Sequence, residues 1–102
     1  MADGRAFDRD GGQIIALPER LDLCAAGRLR DQFLSITGDI ELDASAVTVA
    51  TTPAFQVLMA ARDRQAASGH ALRVAQASEA FRACALTLGL PLSRLQCRGA
   101  TA

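Results

Sequence analysis

The sequence predicts a single α/β domain: a small mixed β-sheet with helices, in the order β-β-α-β-α-β-α. Three observations carry this. Short apolar runs alternate with longer stretches whose apolar residues recur every three or four positions, as βαβ units with right-handed crossovers require. A Gly-rich turn near the start joins two short strands and adds an antiparallel member. The chain has 102 residues, no Trp or Tyr and four Phe, so its core is built from Leu, Val, Ile and Ala. That suits small helices on a small sheet, and the length suits one domain, 1–102.

Ala6-Phe7-Asp8 and Gln13 to Leu17 are expected as the opening strands, joined through Arg9-Asp10-Gly11-Gly12. Asp-Gly-Gly supplies the positive φ angles of a tight hairpin. Ile14, Ile15 and Leu17 read as a strand buried on much of both faces, stopped by Pro18. Asp22 is placed to cap the first helix, whose core face carries Ala25 or Ala26, Leu29 and Phe33, with Arg28, Arg30 and Asp31 in solvent. Gly38 closes that unit, and Asp39 to Asp43 alternates as a strand. Val47 and Val49 continue the apolar approach to a short loop.

The second helix is expected from Pro53 to about Ser68, with Thr52 as N-cap, Pro53 at the first helical position and Gly69 as a left-handed cap. Phe55, Leu58, Met59 and Ala66 form its expected core face. Leu72 to Ala75 is the next strand. Ser78 caps a third helix with Phe81, Cys84, Ala85 and Leu88, which ends at Gly89-Leu90. The folded core is expected at about 5–92, with 93–102 a frayed tail.

Composition excludes several functions. The net charge is zero, and acidic and basic residues are interleaved, with no basic stripe or aromatic platform for nucleic acid. No apolar run approaches the roughly 20 residues of a membrane span, and the polar N-terminus lacks the apolar region of a signal peptide, so the protein is expected in the cytoplasm. Cys24, Cys84 and Cys97 are odd in number and widely spaced, so they read as free thiols in a reducing compartment, with Cys24 and Cys84 as packing residues on helices. His70 stands alone in a turn with no partner acid. No nucleophile–base set, metal-ligand spacing or phosphate-binding Gly motif is present, so no enzyme, cofactor or metal is expected.

The informative stretch is Leu42 to Ala61, LDASAVTVATTPAFQVLMAA. It places Thr51 and Thr52 at the positive end of a helix, where phosphate or another anion is favoured. Ala54, Val57 and Ala61 lie off the Phe55 face and leave a smooth surface beside Leu58 for a partner helix. This layout resembles the STAS domain (sulfate transporter and anti-sigma factor antagonist), whose segment runs LDLSGVTxIDSSGLGxLLAA. Thr52 falls on the family's phosphorylated serine, Thr51 on the aspartate before it, and Pro53-Ala54 on the following Ser-Gly. LPERLD at 17–22, LDASAV at 42–47, SGHALRVAQAS at 68–78 and LGL at 88–90 match in order. The resemblance covers roughly 5–92, with the family's last strand and helix truncated.

The resemblance implies a non-enzymatic bacterial regulator, monomeric or weakly dimeric. It would dock a kinase-like anti-sigma factor or a chemotaxis kinase through 47–61, using Thr51, Thr52, Ala54, Val57, Leu58 and Ala61. Thr52 would be its phosphorylation switch. Two other readings stay open. One is a constitutive STAS subunit that stabilises an ABC transporter ATPase, as in the Mla phospholipid-transport system. The other is a small-ligand or nucleotide sensor at Thr51-Thr52. Asp43, the other matched acid, is expected to cap the loop after its strand.

Overall fold

The computed structural model describes residues 12–99. It is an α/β fold in which β1 (Gln13–Ala16), β3 (Ile40–Ala44) and β5 (Leu72–Ala77) form a parallel sheet in the order β1-β3-β5. A second, two-stranded parallel ladder pairs β2 (Arg20–Leu21) with β4 (Val49–Ala50). The helices are α1 (Leu23–Leu34), α2 (Thr52–Ser68) and α3 (Glu79–Thr87). The expected strand at Ala6-Phe7-Asp8 lies outside the described residues.

Register follows the apolar pattern. Ile15 stands opposite Leu42, and Leu42 opposite Val74. In β3, Ile40, Leu42 and Ala44 are buried while Glu41 and Asp43 are half-buried, so one face is sealed and the other is partly open. Ile14 follows that rule. It pairs with Glu41 on the open side, so β1 is fully buried on one face only, not two. A bulge after Leu42 lets Asp43 pair with Gln76 and Ala44 with Ala77. Across the open face, Arg73 donates to Glu41 at 2.6 Å.

The helices start and stop as their local chemistry dictates. Asp22 Oδ1 accepts from Ala25 N at 3.0 Å, which caps α1. Ser78 Oγ accepts from Phe81 N at 3.1 Å and donates to Val47 O at 2.6 Å, so it caps α3 and ties it to the loop before β4. α2 ends at Gly69, φ 79°, where His70 N reaches back to Gln65 O at 2.8 Å. Gly89, φ 74°, closes α3 in the same way, with Leu90 N on Ala85 O at 2.8 Å.

The core joins both ladders to all three helices. Leu21, Leu42, Leu58, Leu72, Phe81 and Leu95 are completely buried. The rings of Phe55 and Phe81 lie 5.2 Å apart and link α2 to α3. α2 buries Gln65 and leaves Ala66 exposed, which corrects the expected core face. The helical period puts residue 65, not 66, over the sheet beside Leu58 and Ala61, and the Gln65 amide finds carbonyl partners there.

The expected frayed tail is also corrected over 93–99. Leu92–Leu95 forms a 3-10 turn that buries Leu95. Cys97 and Leu72 then exchange two backbone hydrogen bonds of 3.0 Å each, an antiparallel bridge on β5. The Gln96 side chain accepts from Val74 N at 2.8 Å. Leu95 and the hydrogen bonds of Gln96 and Cys97 hold this segment, a signal too sparse to read from periodicity. Among the described residues, no helix is long and apolar enough to cross a membrane.

Candidate functional site

The junction of β4 and α2 is built by the short β2–β4 ladder. Glu19 O accepts from Thr48 N at 2.8 Å and Val49 N at 3.1 Å. Leu21 O accepts twice from Thr51, from its backbone N at 3.0 Å and its hydroxyl at 2.8 Å. These bonds hold Thr51 in extended conformation, φ −124° and ψ 164°, directly before the helix.

The cap assignment is therefore corrected by one residue. Thr51 is the N-cap and Thr52 is the first helical residue, which moves Pro53 to the second position. Thr51 contributes no side-chain cap, because its hydroxyl donates to Leu21 instead. Its carbonyl opens the helix by accepting from Ala54 N at 3.1 Å and Phe55 N at 3.3 Å. Pro53 is tolerated there because the first helical N–H groups have no partner within the helix.

Thr52 is exposed, and its hydroxyl makes no hydrogen bond among the described residues. It sits on a ridge between two shallow surface depressions. One, of about 650 Å³, is lined by Val49, Thr51, Cys84, Thr87 and Leu88 among others. The other, of about 430 Å³, reaches Met59, Asp63 and Leu90. Val49 and Leu88 are more than one-third exposed, and Leu86 on the same helix is 66% exposed. No acidic side chain occupies the first turn of α2, so the turn itself carries no charge to offset the positive helix end.

Three of the six expected docking residues are not on the surface. Ala54 and Leu58 are 0% exposed and Ala61 is 6% exposed. α1 packs against α2, and Ala54 and Ala61 are part of the buried core. Val57 is half-buried in the groove between the two helices. Of the set, Thr52 is exposed, and Thr51 and Val57 are partly so.

The remaining polar candidates have local roles. Asp43 Oδ1 accepts from Ser45 Oγ at 2.6 Å and Ser45 N at 3.0 Å, which closes the turn after β3 as expected. Those two bonds, the hydroxyl's first, hold its carboxyl below the ordinary aspartate range. At Asp22, the Ala25 backbone N–H has the same effect. His70 does have an acid beside it, which corrects the sequence reading. Its Nδ1 lies 3.7 Å from Asp39 Oδ1, an atom that also accepts from Ala71 N. Distance in sequence hid the pair, since β3 and β5 bring 39 and 70 together. Arg62 is only partly solvated, because its Nε donates to Gln96 O at 3.3 Å.

All three cysteines are free. Cys84 is half-buried with its thiol on Ala50 O, but Cys24 is exposed and fills no core position, contrary to expectation. It follows exposed Leu23 on the first turn of α1, and the helical period aims the buried face at Ala25 and Ala26. No group of three or more His, Cys, Asp or Glu side chains able to hold a metal occurs among the described residues. The chain matches no family model, no curated protein and no solved structure.

Proposed function

We propose that this chain is a non-enzymatic regulatory module of the STAS type. It docks a bacterial signalling protein, either a kinase-like anti-sigma factor or a chemotaxis kinase, over the β4–α2 junction, in the cytoplasm. One observation carries the reading: the two adjacent hydroxyls have different fates. Thr51 is tied to Leu21 O, while Thr52 stands exposed at the helix start with its hydroxyl unbonded among the described residues. Thr52 lines the same depression as exposed Val49 and Leu88, so a group added there alters the surface that a partner covers.

In the switch, the γ-phosphoryl group of ATP passes to Thr52 Oγ1, ADP leaves and the hydroxyl proton is released. The product carries nearly two negative charges at the positive end of α2. The helix tolerates them, and a partner seated on Val49 and Leu88 does not. A second reading, a constitutive subunit that stabilises an ABC transporter ATPase, draws support from the same residues. Thr51 is neutral and structurally committed, and no acid marks the first turn for a kinase.

Affinity purification of the tagged full chain from its host separates them, with Thr52→Glu and Thr52→Ala alongside wild type. The switch requires a kinase-like partner that binds wild type and Thr52→Ala and is lost with Thr52→Glu, together with phosphorylated Thr52 in the mass spectrum. The same ATPase bound to all three proteins, with Thr52 unmodified, establishes the constitutive subunit.

A further inference from the structure

A second surface lies on the other side of α2. The groove between α1 and α2 has a volume of about 510 Å³. Ala26, Phe33 and Ala61 form its buried floor, and half-buried Val57 is one wall. Leu23, at the start of α1, is 72% exposed, and Leu34, at its end, is 54% exposed. Scattered exposed leucines need no explanation, but these two mark the ends of one continuous apolar groove.

Its charge has one sign. Among the described residues, Arg30 and Arg64 line the groove and no Asp or Glu does. Arg64 makes no ion pair among the described residues. Arg30 meets only Asp31 at 3.4 Å, with both side chains more than two-thirds exposed, a pair that water screens. The middle of α1 adds a third feature. Gly27 is exposed inside the helix, where Gly is a poor helix former, and an added Cβ would meet nothing within 4 Å. Nothing among the described residues packs there, so a partner backbone can approach closely.

We propose that this groove docks an amphipathic helix of a partner protein, with acidic side chains flanking its apolar stripe. Leu23 and Leu34 are 11 residues apart, about 16 Å along the axis. That is about three turns of a bound helix, enough to present apolar anchors at i, i+3 or i+4, and i+7. The groove is open along its length, whereas small-ligand sites enclose most of their ligand. It presents helix surfaces and no strand edge, so an added β-strand has nothing to pair with. The inference rests on the chain being a docking module and gives the chemistry of the partner. It is independent of the switch, since Thr52 lies outside the groove.

The probe is a labelled peptide of about 14 residues with a Leu stripe flanked by Glu, compared with the same peptide bearing Lys in place of Glu. Binding to the full chain is read by fluorescence anisotropy. The Glu peptide is expected to bind at least about tenfold more tightly than the Lys peptide, and the double variant Arg30→Glu/Arg64→Glu to reverse that order. Gly27→Gln puts a side chain on the groove wall from a Cβ that meets nothing within 4 Å, so it should weaken Glu-peptide binding at least about tenfold with Tm unchanged or raised. Thr52→Glu should leave peptide binding unchanged, which separates this surface from the switch.

Equal affinity for the two peptides, no binding up to about 1 mM, or indifference to Gly27→Gln overturns the inference. A dimer in sedimentation that Gly27→Gln dissociates, with no Glu-peptide binding, assigns the groove to a second copy instead. Tighter peptide binding by Phe7→Ala assigns it to the chain's own segment 1–11. A host purification that returns no partner for wild type fails the docking-module reading itself, whatever the peptides do.

Discussion

Gln65 and Gly38 are joined by a buried hydrogen bond: the side-chain amide on α2 donates to the Gly38 carbonyl at 2.8 Å. The same amide nitrogen donates to Ala71 O at 2.9 Å. Gln65 is 5% exposed, and it clamps the turns before β3 and before β5 under the same helix. Ala71 O keeps a second donor in Ile40 N, but Gly38 O depends on the glutamine. Gln65→Leu preserves bulk and removes the donor, so it should destabilise the fold by about 1–3 kcal/mol in urea unfolding. A loss below about 0.5 kcal/mol would mean that water replaces the amide.

Thr51 and Thr52 should separate cleanly. Thr51→Val removes the hydroxyl that reaches Leu21 O and should cost about 1–2 kcal/mol. Thr52→Val, at an exposed position, should stay within about 0.5 kcal/mol of wild type by the same measurement. The reverse order would return Thr52 to the role of cap.

The turn after β3 carries a pH dependence. The Ser45 hydroxyl and N–H lower the Asp43 pKa, so the folded state binds its proton less readily than the unfolded chain does. The stabilisation is therefore complete above the unfolded value and is lost as pH falls through the folded one. Ser45→Ala should raise the Asp43 pKa in an NMR titration. It should cost less than about 1 kcal/mol near neutrality, and the difference from wild type should shrink below about pH 4.

The C-terminal segment is integral to the fold. Leu95 is completely buried, so Leu95→Ala should cost about 2–5 kcal/mol in urea unfolding. Leu92, half-buried on the same 3-10 turn, should cost less. Equal, small effects would mean that the turn detaches freely.

What the sequence disclosed, and what it hid, divides by the range of the interaction. Asp22, Ser78, Gly69 and Gly89 act within one helical turn, and each lies where its local chemistry places it. β3 and the core face of α1 follow from periodicity, as do Phe81 and Ala85 on α3, although Leu88 after it is exposed. The β2–β4 ladder is two residues long on each side, too short for any pattern, yet it decides which threonine caps α2. The stripe Ala54, Val57 and Ala61 is visible in sequence, but small residues suit both an open surface and close contact between helices. Burial decides it for Ala54 and Ala61, while Val57 stays half-buried in the groove between α1 and α2. Gln65 was hidden for the opposite reason: a polar residue at a core position is intelligible only once Gly38 and Ala71 stand beside it. The Thr52 proposal takes its position from motif order, and only the fold shows its hydroxyl unbonded among the described residues.

The bridge between Cys97 and Leu72, with Gln96 on Val74 N, has a further consequence. β5 is a terminal strand of its sheet, and a strand there ordinarily offers a row of main-chain groups to any extended peptide. Here a backbone bridge at Leu72 and one side-chain carbonyl at Val74 N occupy the first half of that row. An extended peptide, from a partner or another copy, is thereby kept off the Leu72–Val74 half of the β5 border.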